Sequence, residues 1–452
     1  MIVNQANITE TLARRAAGLN FEDLTPAALT VAKQCLLDWL AVAIAGRDEP
    51  LVRILLDERI DAGLTGTAAI VGRTERLALP AAVLVNGAMS HAPDYDDVHK
   101  FMRGHPSVPV APAALGLAAH LHRSGRDVLT AFVAGFETEC RVGALCGHSH
   151  YMRGFHPTAT IGTFGAAAAA GRLLGLDCAR MQMAFGAAGT QAAGLKSAFG
   201  THCKPLHAGR AAEAGLLAAR LAARGFTAHR DILGDEQGFA KTQSDGFDLT
   251  AAQADPAGGF HVTRTLFKYH AACFLTHSSV EALRSLRDLH GVVPPEVRAV
   301  ELHVSPGHLK ICGIEAPRTG LEVKFSLRMM AAMALAGVDT ASESSYTDEV
   351  ASRPDLIALR DTVVVATDWN GEGSGAEVVL TLRDGQRHTM QFDVGVPLQD
   401  LDLQWTLLEA KFRSLVGPRM GNQRTEQLIA ACHELDQLRD VGELLALATP
   451  AA

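Results

Sequence analysis

Apolar residues recur at helical spacing along most of the chain. Residues 7–19 and 25–45 are predicted to be helical, and in the second segment Thr25 supplies an N-cap, Pro26 the first helical position and Gly46 the end. From about residue 80 to 225 the pattern stays helical but becomes rich in Ala and Gly. Because small side chains let helices approach closely, this stretch predicts a tightly packed helical domain and not a flexible linker.

The pattern changes near residue 261. Four short segments have the composition of strands: residues 301–304, 362–366, 377–382 and 388–394. The last two are joined across Arg383-Asp384-Gly385, which is a strong hairpin signal. Residues 324–336 and 348–359 are predicted to be helical, the latter with a break at Pro354, and the chain is helical again from Leu401.

These patterns predict a mainly α fold. A large all-helical domain, residues 1–260 and 399–452, is interrupted by a smaller α+β lid domain, residues 261–398. The length of 452 residues also favours two domains over a single compact core. Ligands commonly bind at such a domain junction.

Composition excludes several classes of function. The net charge of -8, without a basic tract, argues against nucleic acid as a partner. The eight Cys are scattered without a C-x-x-C pair, which fits reduced thiols in a cytoplasmic protein. The N-terminal residues are polar and acidic where a signal peptide would be apolar, and no run of eighteen apolar residues occurs. We therefore expect a soluble cytoplasmic protein without a membrane partner.

The stretch from His91 to Ser107, HAPDYDDVHKFMRGHPS, is unusually dense in ionisable groups. Its prolines and glycine predict a loop between helices, where chemistry tends to be located. His105-Pro106-Ser107 is matched by His156-Pro157-Thr158 further on. A His before Pro marks the start of a helix, where the macrodipole favours anions.

Four other segments concentrate His, Lys, Arg and Cys: residues 147–157, 199–209, 267–277 and 323–328. The spacings do not support a dedicated metal site, because H-E-x-x-H is missing and His202 and His207 are separated by Pro205. No G-x-S-x-G, Walker A motif or glycine fingerprint after a strand occurs, so neither a Ser nucleophile nor a nucleotide is indicated. We expect no metal and no cofactor.

His, Lys and Asp side chains without a cofactor motif are suited to catalyse proton transfer at a carbon beside a carboxylate. His supplies a base whose pKa lies near neutrality, and cations hold the substrate carboxylate. Lys204, Lys268 and Arg103 are candidate cations. For any single His, a satisfied imidazole in the core or at a helix end is the alternative.

The chain resembles the MmgE/PrpD family, which includes 2-methylcitrate dehydratase, cis-aconitate decarboxylase and iminodisuccinate epimerase. The resemblance covers nearly the whole chain, and its specific motifs are LLDWLAVAIAG, VNGAMSHAPDYDDVH, GHPSVPVAPAA, GFHPTATIGTFGAAAAAGRLLGL, KPLHAGRAAEAGLLAA, the Lys268 segment and VKFSL. It implies a helical domain plus a lid domain, a homodimer, a site between the two domains, and no iron–sulfur cluster, nucleotide or obligatory metal.

The family motifs fall on particular residues of this sequence. The D-[FY]-D-D motif begins at Asp94, the two HP motifs fall on His105 and His156, the KP-x-H motif on Lys204, and the lid lysine on Lys268. These five are the candidate catalytic residues, with the His pair as acid and base, Asp94 orienting one imidazole, and the lysines holding carboxylates. The candidate substrate-binding residues are Arg103, Asp97, His207, His277, Cys273 and Lys324.

The sequence departs from decarboxylase-like members of the family at two positions. Such members have His where this chain has Cys273 and Tyr where it has Met329. The strings MRGHPS, GHSHYMRGFHPT and FGT-x-x-KP are more similar to the iminodisuccinate epimerase branch. The hypothesis is therefore a cofactor-independent lyase, of the dehydratase or decarboxylase type, acting on a small di- or tricarboxylate. An epimerase of an iminodisuccinate-like dicarboxylate and a non-catalytic carboxylate-binding protein remain as alternatives.

Overall fold

The computed structural model describes residues 7–371 and 373–450. They form two compact units: the first runs up to Phe267 and resumes at Asp400, and the second comprises Lys268–Gln399. The sequence alone predicts limits at residues 261 and 398. Helices dominate, and the main sheet has four strands. The prediction of a mainly α fold is confirmed.

The first unit begins with a bundle of helices. Its helices before residue 268 are α1 (Ile8–Gly18), α2 (Pro26–Ala45), α3 (Pro50–Asp61), α4 (Leu79–His91), α5 (Ser107–His120), α6 (Gly125–Met152), α7 (Pro157–Thr160), α8 (Gly162–Leu173), α9 (Cys178–Gly189), α10 (Cys203–Ala223), α11 (Phe239–Gln243) and α12 (Leu249–Gln253). α2 starts as predicted, because the side chain of Thr25 accepts a hydrogen bond from the amide of Ala28. α6 is kinked at Gly147, whose φ of 63° is not helical.

α2 forms part of the core of this unit. In the described part of the chain it is the one helix that is long and apolar enough to cross a membrane, and 78% of its apolar window is buried inside the protein. A short antiparallel hairpin, β1 (Thr65–Ala69) with β2 (Arg76–Leu77), precedes α4. The first unit is therefore not purely helical, and the prediction of an all-helical domain is wrong at this hairpin.

Glycines determine how closely α4, α8 and α10 approach one another. A Cβ atom on Gly209 of α10 would lie 2.2 Å from the carbonyl oxygen of Leu84 in α4, and one on Gly87 of α4 would lie 2.9 Å from the Cα atom of Gly209. A Cβ atom on Gly215 would lie 2.6 Å from the Cβ atom of Ala166 in α8. Only glycine fits such approaches, so the tight packing predicted from the Ala/Gly-rich pattern is confirmed.

The second unit combines helices with a mixed sheet. Its elements are α13 (His277–His290), β3 (Val297–Val304), α14 (Pro306–Cys312), α15 (Gly320–Val323), α16 (Leu327–Leu335), α17 (Asp348–Ala351), α18 (Pro354–Arg360), β4 (Val363–Ala366), β5 (Ala376–Leu382) and β6 (Arg387–Phe392). The strand order is β4-β3-β5-β6, with β3 and β4 parallel and the other pairs antiparallel. The predicted strands and the β5–β6 hairpin are confirmed, and so is the break before Pro354.

Three helices follow when the chain returns to the first unit: α19 (Leu401–Met420), α20 (Asn422–His433) and α21 (Gly442–Leu447). α19 packs against α2, and α20 packs against both. The first unit is thus built from both ends of the chain. The predicted return to helix at Leu401 is confirmed.

Candidate active site

The loop between α4 and α5 is fixed by buried polar contacts. The carboxylate of Asp97 accepts hydrogen bonds from the backbone amide of Ser107 (3.2 Å) and from its hydroxyl (2.5 Å), so it holds the first residue of α5. The ammonium of Lys411 in α19 donates to the carbonyl oxygen of Tyr95 (2.7 Å). Asp94, with φ of 53°, takes the left-handed conformation that Asp tolerates better than most residues. The side chains around it are therefore held in defined positions.

Asp96 lies between two imidazoles. Its Oδ2 atom is 2.8 Å from Nδ1 of His91, with which it forms a hydrogen bond, and 3.0 Å from Nδ1 of His105, a close contact whose angles are not those of a hydrogen bond. Asp96 and His91 are each 1% exposed. His91 is the last residue of α4 and His105 lies just before α5, so the two helix ends meet at this carboxylate.

Lys204, in the first turn of α10, forms an ion pair with Asp94. The ammonium nitrogen lies 2.9 Å from Oδ1 of Asp94, and Nε2 of His105 lies 3.9 Å from the same oxygen. The side chains of Asp94, Lys204 and His105 are 41%, 18% and 14% exposed, so small solutes can reach these groups. A cation, a carboxylate and an imidazole thus converge at the accessible part of the cluster.

His156 forms the opposite part of the cluster with His207. Their Nδ1 atoms are 3.1 Å apart, so one ring donates a hydrogen bond to the other. The backbone amide of His156 donates to the carbonyl oxygen of Gly194 (3.0 Å), and the ring of Phe199 packs edge-on against the imidazole. His156 is 2% exposed, whereas His207 is only partly buried.

The two HP motifs lie side by side. The backbone amide of His105 donates to the hydroxyl of Thr158 (3.1 Å), and a Cβ atom on Gly104 would lie 2.9 Å from the same hydroxyl. His156 immediately precedes α7, and His105 lies two residues before α5, so both mark the start of a helix as predicted. The similarity of the two motifs in sequence therefore corresponds to proximity in the fold.

Burial and neighbouring charges shift several pKa values in the cluster. Burial lowers the pKa of His91 to about 4 in spite of Asp96, and it holds the pKa of His156 well below the usual range, with help from His91 and His105. Burial also lowers the pKa of His207. For Asp96, burial opposes ionisation, but the two adjacent imidazoles outweigh it and hold the pKa well below its usual range. At neutral pH, His91 and His156 are therefore uncharged and Asp96 is a carboxylate.

The structure brings five of the sequence-predicted residues together: Asp94, His105, His156, Lys204 and His207. Two others in this unit have different surroundings. Asp97 contacts Ser107, and Arg103 is exposed at a left-handed backbone position, with φ of 56°. An arrangement with Lys204 beside imidazoles can hold an anionic group and exchange protons with it.

The other predicted residues lie in the second unit. Lys268 and His277 are buried, at 2% and 1% exposed, and Nε2 of His277 is 3.1 Å from the carbonyl oxygen of Ala272. The backbone amide of Cys273 donates to the carbonyl oxygen of Lys324 (3.1 Å). Cys273, His277 and Lys324 thus lie close together in that unit.

His91 and Asp96 are not among the site residues predicted from the sequence. Their spacing carried a weak signal, because a His that ends an apolar helix and an Asp five residues later can meet when the chain turns. Asp94 was expected to orient an imidazole, but the structure gives the close imidazole contacts to Asp96.

Four of these side chains are close enough to raise the question of a metal ion. One ligand atom from each of His91, Asp94, Asp96 and His105 lies within 4.8 Å of the others. However, the ammonium of Lys204 lies 2.9 Å from Asp94, and a second cation there would be repelled. We therefore do not assign these residues as metal ligands.

Comparison with known proteins gives matches along almost the entire chain. The MmgE/PrpD N-terminal domain matches residues 10–252, and the MmgE/PrpD C-terminal domain matches residues 270–435. Cis-aconitate decarboxylase of Aspergillus terreus is 27% identical over 471 residues, covering 98% of this chain and 96% of that protein. Cis-aconitate decarboxylases of Mus musculus and Homo sapiens are also 27% identical, covering 98% of this chain and 93% and 94% of their own.

Proposed function

The chain belongs to the MmgE/PrpD family, and from this premise we propose a lyase of the dehydratase or decarboxylase type that acts on a small tricarboxylate or dicarboxylate by proton transfer, without a cofactor. The observation that carries this proposal is the convergence of His105, His156 and the Lys204–Asp94 pair. The similarity to cis-aconitate decarboxylases over nearly the full length supports a tricarboxylate as substrate.

Each group in the cluster has a chemical role in this proposal. Lys204 binds a substrate carboxylate in exchange for Asp94, since both are accessible and an ammonium pairs with either carboxylate. His105 is the first acid or base, because its Nε2 atom lies 3.9 Å from Asp94 in the accessible part of the cluster. His156 is the second acid or base, and its lowered pKa means that it releases a proton readily once it holds one.

The same groups serve either lyase reaction. In a dehydration, the uncharged imidazole of His156 takes the proton from the carbon beside the carboxylate, the electron pair forms the double bond, and the hydroxyl group leaves as water with a proton from the imidazolium form of His105. In a decarboxylation, the bond to the departing carboxylate breaks, carbon dioxide leaves, and the imidazolium of His105 gives its proton to the carbon. Lys268 of the second unit is a further candidate to bind a carboxylate, on the family motif.

An epimerase is the second candidate. Cys273 and Met329 stand where decarboxylase-like members have His and Tyr, so a candidate acid/base group and a hydroxyl donor of those enzymes are missing here. Removal of a proton by one imidazole and its return to the opposite face by the other would invert the carbon without elimination. A cytoplasmic homodimer is also part of the proposal, and light scattering of the purified protein tests the dimer.

Proton NMR in deuterium oxide tests the function directly. EDTA-treated protein is incubated with cis-aconitate, 2-methylcitrate and iminodisuccinate, and α-proton exchange and product signals are followed together. A new alkene or the loss of a carboxylate supports the lyase, whereas exchange with inversion alone supports the epimerase. Binding, detected as a raised melting temperature, without exchange of any substrate would refute both and favour a carboxylate-binding protein.

Two variants connect the reaction to the cluster. His105→Ala should lower turnover by about 10²- to 10⁴-fold, the usual contribution of a general acid or base. His122→Ala is the matched control, because the side chain of His122 is 81% exposed and contacts Asp440 instead of the cluster. Full activity of His105→Ala would remove His105 from the mechanism.

A further inference from the structure

We propose that Asp96 is a shared positioning residue: its single carboxylate fixes the ring orientation and the tautomer of both His91 and His105, and so directs the reactive nitrogen of His105 toward Lys204 and Asp94. This inference rests on the proposed function for its catalytic consequence, but its structural part does not. It differs from the sequence expectation, which gave the orienting role to Asp94.

The tautomer follows from the chemistry of the contacts. A carboxylate only accepts hydrogen bonds, so a neutral imidazole whose Nδ1 atom faces Asp96 must carry its hydrogen on Nδ1. Both Nδ1 atoms lie within 3.0 Å of Oδ2. Nε2 of each neutral ring therefore has the lone pair, and for His105 this atom is the one that lies 3.9 Å from Asp94.

The carboxylate can hold both rings because it has acceptor capacity left. Within the described residues, Oδ1 of Asp96 is buried without a hydrogen-bond partner. A small rotation of His105 would give each imidazole its own carboxylate oxygen. Catalytic hydrogen bonds often improve in this way when substrate binds.

His91 acts as the support for Asp96 in this arrangement. Its ring centroid lies 4.7 Å from that of His105 and 5.8 Å from that of His156, with the latter pair stacked at 22°. His91 thus fills the space between the two proposed acid/base groups. Because its pKa of about 4 keeps it uncharged at neutral pH, it donates a hydrogen bond to Asp96 without competing for a substrate anion.

Asp94 has a different task in the same loop. It is much more exposed than Asp96, and its near partner is the ammonium of Lys204, at 2.9 Å. Asp96 therefore holds the imidazoles, whereas Asp94, two residues earlier, occupies the position beside Lys204 where a substrate carboxylate would bind. Asp97, the third, holds the helix start through Ser107.

Asp96→Asn tests the inference, with Asp97→Asn as the matched control. Both carboxylates are 1% exposed and lie in the same loop, but only Asp96 contacts imidazoles. Asp96→Asn should lower kcat by about 10²- to 10⁴-fold with KM changed less than about threefold, as expected for loss of a correctly oriented general acid or base. An equal loss of kcat in Asp97→Asn would refute the inference, since it would trace the effect to the loop.

A second readout needs no substrate. In protein labelled with ¹⁵N-histidine, the His105 signals, assigned by comparison with His105→Gln, should show the hydrogen on Nδ1 in the wild type and a changed tautomer or ring environment in Asp96→Asn. His91→Phe keeps a ring but removes the donor, and it should shift the same His105 signals while lowering kcat by about tenfold, a factor that one net hydrogen bond can account for. His105 signals that are identical in wild type and Asp96→Asn would overturn the inference.

The two proposals fail separately. If the wild type converts no substrate but its His105 tautomer still depends on Asp96, the positioning inference stands and the lyase function falls. If the wild type is active and Asp96→Asn keeps at least a third of kcat, the positioning inference falls and the function stands.

Discussion

Lys411 is the point at which the end of the chain reaches the loop that carries Asp94 and Asp96. It is 2% exposed, and its ammonium nitrogen lies 2.6 Å from Oδ1 of Asp38 in α2. The same ammonium donates to the carbonyl oxygen of Tyr95 and lies 3.9 Å from the centre of the Tyr95 ring. One buried cation therefore joins α2, α19 and the loop.

The cost of replacing Lys411 with Met follows from these contacts. Met retains most of the apolar length, so the main loss is the charge. Asp38, itself 2% exposed, would remain as a buried carboxylate without its cation, and removal of one partner of a buried pair typically costs about 3–5 kcal/mol. We expect Lys411→Met to lower the free energy of unfolding by about this amount. Activity should also fall, because Tyr95 lies between Asp94 and Asp96.

Urea unfolding at pH 7, followed by circular dichroism, measures the effect. Asp38→Asn and the double variant complete a mutant cycle, and the double variant should be more stable than the sum of the single losses predicts, by about 1–3 kcal/mol, because residues in one charged network are coupled. The cycle also separates the interaction free energy between Lys411 and Asp38 from the free-energy cost of leaving one of the two charges buried without its partner.

Lys33→Met is the matched control. Lys33 is also in α2 and pairs with Asp436 near the C-terminus, but the two side chains are 13% and 28% exposed. A more exposed pair contributes only about 0–1 kcal/mol. A loss for Lys411→Met no greater than that for Lys33→Met would refute the reasoning that burial determines the cost.

Three further outcomes are expected. Burial raises the pKa of Asp97 to about 7, against about 4 in the unfolded chain. The group therefore stabilises the folded state below pH 4, and this stabilisation is lost as the pH rises through 7. In urea unfolding between pH 5 and 7, the free energy of unfolding of the wild type should fall by about 1.4 kcal/mol more per pH unit than that of Asp97→Asn. Lys204→Met should raise KM more than about tenfold, measured by initial rates, while the melting temperature changes little. EDTA treatment should leave turnover unchanged, and metal analysis of the active protein should find less than about 0.1 equivalent per chain, since Lys204 already supplies the cation.

Local signals in the sequence predicted much of the fold. Thr25-Pro26 placed the start of α2, and Arg383-Asp384-Gly385 placed the β5–β6 hairpin, because capping and turn chemistry depend on adjacent residues. The β1–β2 hairpin was missed since its strand TGTAA is short and made of small residues, which give little periodic signal. The parallel pairing of β3 with β4 depends on contacts distant in sequence and could not be predicted from either strand.

In the candidate site, too, the residues marked by local sequence features could be predicted and those that depend on distant contacts could not. The HP motifs and Lys204 could be predicted because a His before Pro and a Lys at a helix start are local features. The roles of His91 and Asp96 could not, because which of three carboxylates faces an imidazole is decided by how the loop folds back. The contact of Lys411 was harder still to predict from the sequence, since its partner Tyr95 lies 316 positions earlier in the chain.

The Ala/Gly composition of the helices provides the physical link between fold and chemistry. Gly87 lies one helical turn before His91 in α4, and Gly209 lies two residues after His207 in α10. The backbones of the two helices approach at these glycines, where a Cβ atom on Gly209 would lie 2.2 Å from a carbonyl oxygen. This approach brings the end of α4 and the start of α10 together, so His91 and the loop that follows it lie beside Lys204. The glycines from which the sequence predicts tight packing thus also bring acid/base groups from separate segments into one site.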